Sequence, residues 1–320
     1  MIFTKGKLVW ITLLIISAAI IRAGYTPLPP SKLSNADAEG NKLLQRGAFN
    51  RAMVTFAHAA YRNPRDTSAF VGLAAVAMRT GRYQIALANL HQAEVDDPRD
   101  ADIWHVIGDV EARLGRSVSA IAAYRRAVRL NAKDEVAWRQ MGILLTRALD
   151  YPMGMSALRE AVRLAPWDSK ANDALAANAL AQGQLTIARS AYRQTLRCSA
   201  QDAQALAGLA DVEMQMDPSA TGLASAELMA RRSLNLQPNA YTHLLLGHIY
   251  LVDHKFSLAI KELNIAKKGQ STNQSLWLWL AQAYDGLGRT SLAAKAIAQS
   301  QECAAGSGSK KAILRSGGIR

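Results

Sequence analysis

A 34-residue spacing recurs along most of this sequence and limits its possible folds more than any other feature. Small residues stand at this interval at Ala74, Gly108, Gly142 and Ala176, and each directly follows a large apolar residue. Twelve residues beyond each of them comes a second small residue, and four further on comes a large one. Self-similarity at such a period is typical of proteins built from one small unit that packs on its own copies. We therefore predict a repeat architecture for the greater part of the chain.

The composition indicates that the repeated unit is helical. Hydrophobic residues make up 50% of the chain and aromatic residues only 6%. A β-sandwich or barrel would contain more aromatic and β-branched residues, and a disordered chain would be less apolar. Small residues at fixed places let two antiparallel helices approach closely, and a Pro or Asp between units ends one helix and starts the next. The sequence therefore predicts an all-α fold.

Within each unit the order of residues resembles the tetratricopeptide repeat: a Trp or Leu, then Leu-Gly, Tyr, Ala, an aromatic residue, Ala and Pro. The third unit follows this order with Trp104, Ile107-Gly108, Glu111, Ala120, Tyr124, Ala127 and Ala132. Two glutamates, Glu111 and Glu213, stand where the family usually has an aromatic residue. The resemblance implies a right-handed superhelical solenoid of about eight helix-turn-helix units with a concave groove.

The repeats leave short segments at both ends of the chain. A signal anchor or signal peptide is predicted at 1–24, a Pro-rich spacer at 25–32 and a flexible basic tail at 303–320. We place the repeats at about 33–66, 67–100, 101–134, 135–168, 169–202, 203–239, 240–273 and 274–302.

The N-terminal segment predicts export. Lys5 and Lys7 precede the apolar run Leu8–Ile21, which is either an uncleaved membrane anchor or a signal peptide that is removed. Lysines before such a run keep the N-terminus in the cytosol. We therefore predict a single-pass membrane protein with its repeats on the exported, periplasmic side. If the segment is cleaved, the alternative is a protein secreted to the periplasm.

The basic net charge does not indicate nucleic-acid binding. Much of the charge of +13 comes from residues 1–32 and 303–320, which contain no acidic residue. A basic stripe within the folded part would be needed to predict contact with nucleic acid. We expect no nucleic-acid partner.

No combination of residues predicts catalysis. Two cysteines are too few for a cysteine-ligated zinc site, and the six histidines are scattered along the chain. There is no glycine-rich phosphate loop, and the repeats leave no room for a catalytic domain. We predict that the chain is not an enzyme and has no catalytic residue, metal site or cofactor.

The inner face of the repeats is the first candidate binding surface. In the family, positions 2, 5, 9, 12 and 13 of each repeat line the concave groove. In the second to fifth repeats these positions include Arg79, Asp102, His105, Asp109, Arg113, Arg139, Arg147, Lys170 and Asp173. This mildly basic set predicts a groove for a protein or peptide partner; the alternative is a merely solvated face. Three tryptophans at equivalent positions are expected to pack between helices, whereas Trp279 could line a groove.

The second helices of three repeats carry a further candidate surface. Arginine pairs stand four residues apart at Arg125/Arg129, Arg159/Arg163 and Arg193/Arg197. Like charges at this spacing destabilise an isolated helix by about 0.2–0.5 kcal/mol, so local stability does not explain them. They predict a strip for an anionic partner, either phospholipid headgroups, an acidic protein or an anionic glycan. The alternative is a solvated face whose last cation interacts with the helix dipole.

These features predict an interaction scaffold in a bacterial envelope, secretion, pilus or polysaccharide-export assembly. The alternative is a non-catalytic subunit that presents substrate to a separate transferase or hydrolase. In the last repeat, Leu292 and Ile297 are followed closely by Gly and Ser rather than by a solvating helix. Because repeat arrays normally end in polar caps, we expect this end to be covered by a partner, by a second copy of the chain or by the stretch Ala312–Leu314 folding back.

Overall fold

The computed structural model describes residues 36–316 of the chain, and the surroundings of side chains from 38 to 305. Over that range the chain forms sixteen α-helices and no strand, so the all-α prediction is confirmed. In order they are α1 Ala36–Gln45, α2 Phe49–Arg62, α3 Thr67–Arg79, α4 Tyr83–Asp96, α5 Ala101–Arg113, α6 Ser117–Leu130, α7 Glu135–Arg147, α8 Tyr151–Leu164, α9 Ser169–Ala181, α10 Leu185–Cys198, α11 Ala203–Met216, α12 Ala220–Leu236, α13 Ala240–Val252, α14 Phe256–Gln270, α15 Gln274–Gly286 and α16 Thr290–Ser316.

The predicted anchor and spacer, residues 1–24 and 25–32, lie outside the described residues. Among the sixteen helices, none has both the length and the apolar character needed to cross a membrane.

The chain divides between Arg147 and Ala148 into two compact bodies, which we call the N-terminal half and the C-terminal half. The N-terminal half contains α1 to α7, and the C-terminal half contains α8 to α16.

Aspartates fix where the first helix of a repeat begins. The carboxylate of Asp100 accepts a hydrogen bond from the backbone N–H of Asp102 at 2.8 Å, and that of Asp134 from Ala137 at 2.9 Å. Asp168 and Asp202 cap α9 and α11 in the same way. These bonds satisfy N–H groups that have no partner within the helix.

Close packing of glycine against a large side chain joins the helices of each repeat. The ring of Phe56 on α2 is 1% exposed. A Cβ atom on Gly40 of α1 would lie 2.5 Å from this ring, and one on Gly72 of α3 would lie 2.3 Å from it. Tyr124 packs in the same way against Gly108. At Gly108, one of the small residues of the 34-residue pattern, an aromatic ring therefore lies against helix backbone.

Leu149 provides a test of the turn inside a repeat. The equivalent residues Gly81, Gly115 and Gly183 have φ values of +70° to +74°, whereas Leu149 holds φ +64° with its side chain 63% exposed. A left-handed conformation costs a non-glycine residue about 1–2 kcal/mol, and glycine loses about 0.5–1 kcal/mol more entropy on folding. We expect Leu149→Gly to raise the free energy of unfolding by about 0.5–1 kcal/mol in urea titrations.

Met153 supplies the control for this test. It lies in α8 with an exposed side chain, so Met153→Gly should lower stability by about 1 kcal/mol through helix propensity alone. A loss of stability in both variants would contradict the strain assigned to Leu149.

The C-terminal end differs from the sequence prediction. A flexible tail was expected from 303 to 320, whereas α16 continues to Ser316. Extending an existing helix requires no new nucleation, and the Ala, Lys, Leu and Arg residues of this stretch favour helix enough to offset its Gly and Ser residues.

Candidate partner-binding surfaces

A network of polar side chains occupies the inner face of the N-terminal half. His105 Nδ1 lies 2.6 Å from Asp134 Oδ2, and its Nε2 lies 3.7 Å from Asp109 Oδ2. The hydroxyl of Tyr124 donates to Asp109 Oδ1 at 2.6 Å. Burial, together with this hydrogen bond, raises the pKa of Tyr124 well above its usual value, so the hydroxyl stays neutral and keeps donating. The network holds Asp109 in one position.

A cleft of about 330 Å³ opens beside this network. Its polar lining consists of Asp109, Arg113, Tyr124, Gln140 and Arg147, and the remainder is apolar. Both arginines are exposed, while one oxygen of Asp109 is already used by Tyr124. The cleft therefore offers two guanidinium groups and an amide to a ligand, and it favours an anionic group.

The structure brings together only part of the set predicted for the inner face. Asp109, Arg113 and Arg147 line the cleft, and His105 positions Asp109 from one side. Arg79 is exposed with its guanidinium 5.9 Å from the Phe49 ring, and Arg139 is half-buried; neither lines the cleft. Lys170 belongs to the C-terminal half, where it is exposed.

The inner face of the C-terminal half is acidic and aromatic. Asp173 Oδ2 accepts a hydrogen bond from Gln204 at 2.8 Å, and Asp211 Oδ2 accepts one from the Tyr241 hydroxyl at 3.0 Å. Burial raises the pKa of Asp173 to about 6, and the nearby Asp202 carboxylate adds to the shift. Its Oδ1 atom is buried and has no hydrogen-bond partner among the described residues.

An aromatic pair extends this face. His248 stacks on Trp279 with ring centroids 3.9 Å apart and planes 8° from parallel. Burial lowers the pKa of His248, against an opposing effect of Asp211, so that the ring favours its neutral form. Trp279, which the sequence suggested could line a groove, is therefore held flat against a second ring.

The six arginines of the predicted anionic strip are all exposed. Arg125 and Arg129 lie on α6 of the N-terminal half, and the other two pairs lie on α8 and α10 of the C-terminal half. Arg163 pairs with Glu160 at 2.8 Å, and Arg193 pairs with Glu213 at 2.9 Å. Glu213, one of the two departures from the repeat pattern, thus neutralises part of the positive charge of the Arg193/Arg197 pair.

Comparison with known proteins assigns the fold. A family model described as the tetratricopeptide repeat matches residues 71–135. The chain contains tetratricopeptide repeats. Such repeats imply a scaffold for protein–protein interaction. No curated protein matches the sequence.

Several solved structures resemble the chain in fold. YrrB, described as having an unusual peptide-binding site, is 19% identical with a TM-score of 0.53, over 60% of this chain and 96% of its own. A repeat protein from Parabacteroides merdae is 16% identical with a TM-score of 0.55, over 79% and 99%. The pilF protein of Pseudomonas aeruginosa is 19% identical with a TM-score of 0.56, over 69% and 100%. At these identities the likeness concerns the fold alone.

Sequence reasoning missed most of the inner face of the C-terminal half. Gln204 and Tyr241 hold position 2 of their tetratricopeptide repeats, and Asp211 and His248 hold position 9. The positional rule that selected Asp109 would have found all four if it had been applied beyond the fifth repeat. Among the described residues, no group of three His, Cys, Asp or Glu side chains is arranged to hold a metal ion.

Proposed function

We propose that this protein is an exported scaffold that binds an acidic segment of a partner protein on the inner face of its N-terminal half. The observation that carries the proposal is the cleft in which Arg113 and Arg147 flank an Asp109 already held by Tyr124 and His105. Because Tyr124 and His105 already hold Asp109, a ligand that enters the cleft does not have to order this side chain. The peptide-binding site named for YrrB, a protein of the same fold, supports this class of ligand.

The proposed cellular setting is the periplasmic side of a bacterial envelope. The lysines before Leu8–Ile21 support export, and either an anchor or a cleaved signal peptide would produce it. An assembly for secretion, pilus formation or polysaccharide export is the proposed destination. Binding to a second copy through the last repeat also stays a prediction; there Leu292 and Ile297 are 39% and 45% exposed.

The second candidate is a subunit that presents substrate to a transferase or hydrolase. The absence of a metal-binding group among the described residues is compatible with it, because catalysis would belong to the other subunit. The two candidates differ in which proteins accompany this chain when it is purified from the membrane fraction.

Affinity purification of the full chain from its membranes tests the proposal. Arg113→Glu with Arg147→Glu places two carboxylates in the cleft, and we expect captured partner to fall at least about tenfold, a loss of about 1.4 kcal/mol or more. The captured proteins identify the setting: structural envelope components favour the scaffold, whereas an enzyme favours the second candidate.

Arg62→Glu with Arg65→Glu is the matched control. These residues are also exposed arginines of the N-terminal half, and they do not line the cleft. The control makes the same change in charge and should retain the partner. Equal capture by the cleft variant and the wild type would refute binding in this cleft.

A further inference from the structure

Three repeats share a tryptophan at their fourth position that the fifth repeat lacks. In these repeats the indole N–H donates to the carbonyl oxygen six residues earlier: Trp104 to Pro98 at 3.1 Å, Trp138 to Ala132 at 3.1 Å and Trp277 to Ser271 at 2.7 Å. Asn172 holds this position in the fifth repeat, and its Nδ2 donates to the carbonyl of Pro166 at 2.9 Å, again six residues earlier. The hydrogen bond is kept, and the aromatic ring is missing.

A cleft of about 480 Å³ opens beside Asn172. It is walled by Val162 of α8, Leu175 of α9 and Ile187 of α10, with Asn172 and Pro166 among its other lining residues. Asn172 is only 2% exposed and forms the base of the cleft. This volume falls within the range of about 300–1,000 Å³ that is typical of ligand pockets.

The third repeat, which has a tryptophan at this position, shows what surrounds such a ring. There the guanidinium of Arg126 lies 4.8 Å from the centroid of the Trp104 ring and covers it. Gln194 holds the position of Arg126 in the fifth repeat, and it lines the cleft. The side chain at the ring-covering position therefore lines the cleft, although it is Gln rather than Arg, and Asn172 brings no ring of its own.

The surroundings of the cleft are cationic. The helices α8 and α10 carry the exposed pairs Arg159/Arg163 and Arg193/Arg197. Arg197 donates to Oε1 of the cleft residue Gln194 at 3.4 Å, which places its guanidinium beside the opening. Glu160 pairs with Arg163 of α8, and Glu213 pairs with Arg189 and Arg193 of α10, so an excess of positive charge is left.

We propose that this cleft, on the C-terminal half, binds a segment of a partner protein in which a Trp side chain is flanked by acidic residues. The indole occupies the space that the chain's own tryptophans fill in other repeats, and the Gln194 amide or the Ser190 hydroxyl accepts its N–H. The flanking carboxylates pair with the arginines of α8 and α10. Tryptophan and arginine are both common among residues that dominate binding energy at interfaces. This site is separate from the cleft of the N-terminal half and does not depend on it.

Asn172→Trp tests the proposal, because it supplies in the chain the ring that the partner would bring. The probe is the peptide acetyl-Asp-Glu-Trp-Glu-Asp-amide with 5-fluorotryptophan, titrated with the full chain and followed by fluorine NMR. We expect wild-type protein to bind it at least about tenfold more tightly than the same peptide with Lys in place of the acids. A peptide with Ala in place of Trp, followed by calorimetry, should bind at least about tenfold more weakly.

The variant should lose binding while it gains stability. Asn172→Trp is expected to weaken binding of the acidic Trp peptide at least about tenfold. It should also raise the melting temperature by about 2–4 °C, since the new indole is buried in the cleft. Ser225→Trp, which adds an indole at an exposed place on α12, should change neither. Gln194→Glu places a negative charge in the cleft wall without filling the cleft, and it should weaken binding of the acidic peptide several-fold.

Several outcomes would overturn the proposal. Equal affinities for the Trp and Ala peptides would exclude binding of the indole ring in the cleft. Equal affinities for the acidic and Lys peptides would exclude pairing between the arginines and the carboxylates of the peptide. If Asn172→Trp unfolds the protein, unchanged binding by Gln194→Glu overturns the proposal on its own. Light scattering tests whether a second copy of the chain occupies the cleft instead of a partner. If the wild type is a dimer that Trp167→Ala or Asn172→Trp converts to a monomer, the exposed Trp167 of the second copy fills the cleft and the proposal is overturned.

Discussion

Gly72→Ala should destabilise the wild-type protein and stabilise a Phe56→Ala variant. In the wild type the added methyl group would lie 2.3 Å from the Phe56 ring, which is itself enclosed by α1 and α3. Such overpacking costs about 1–3 kcal/mol. Phe56→Ala alone should cost about 3–5 kcal/mol because it leaves a cavity. In that cavity the methyl group added at Gly72 meets no ring, and only the gain of about 1 kcal/mol in helix propensity remains.

Urea titrations of the four proteins in this cycle give the coupling between the two sites. Gly81→Ala is the control, because Gly81 has φ +72° and no atom within 4 Å of an added Cβ. The stability lost in Gly81→Ala depends on the backbone conformation alone and should be the same with and without the Phe56 ring. If Gly72→Ala has the same sign in both backgrounds, the ring does not pack on that glycine.

The helices and the small–large packing could be predicted from the sequence because both depend on contacts within a repeat. Gly108 and Tyr124 belong to one helix pair, and their spacing in sequence places them together. The sandwich of Phe56 could be predicted only in part, since Gly40 is in its own repeat and Gly72 is in the next one. Contacts between repeats depend on how adjacent helix pairs pack, which the 34-residue period alone does not specify.

The candidate binding surfaces were harder to predict for the same reason. His105 was expected to face a partner, but the aspartate that caps the next helix pair, Asp134, reaches it and takes up one ring nitrogen. Tyr241 likewise lies one repeat beyond the Asp211 that it bonds. Asn172 was not singled out in the sequence, and only the hydrogen bond to Pro166 identifies it as a substitute for an indole.

Asp173→Asn should raise stability at pH 8 and leave it nearly unchanged at pH 4. Burial raises the pKa of the folded carboxyl to about 6, whereas an unfolded aspartate titrates near about 3.9. The folded protein therefore holds this proton more tightly, and the stability that the proton contributes is complete below about pH 4 and lost as pH rises through about 6. The difference between these two pKa values corresponds to at most about 3 kcal/mol, so the variant should gain about 2–3 kcal/mol at pH 8.

Two features of Asp173 support so large an effect. Its Oδ1 atom is buried with no hydrogen-bond partner among the described residues, so the charged form is poorly compensated there. Its Oδ2 atom accepts from Gln204, and the carbonyl of an asparagine can accept that bond equally well. Asn therefore removes the charge while it keeps the contact. Urea midpoints of both proteins between pH 4 and 8 provide the measurement, and the difference between them should grow mainly between pH 4 and 6.

Asp217 gives a control of opposite sign. Hydrogen bonds from Ser219 lower the pKa of this exposed carboxyl, so its charged form favours the folded state and its contribution is lost as pH falls. Asp217→Asn should therefore lose stability relative to the wild type as pH rises, whereas Asp173→Asn gains it. If both variants follow the same pH trend, the trend reflects overall charge, and the buried oxygen of Asp173 is not its cause.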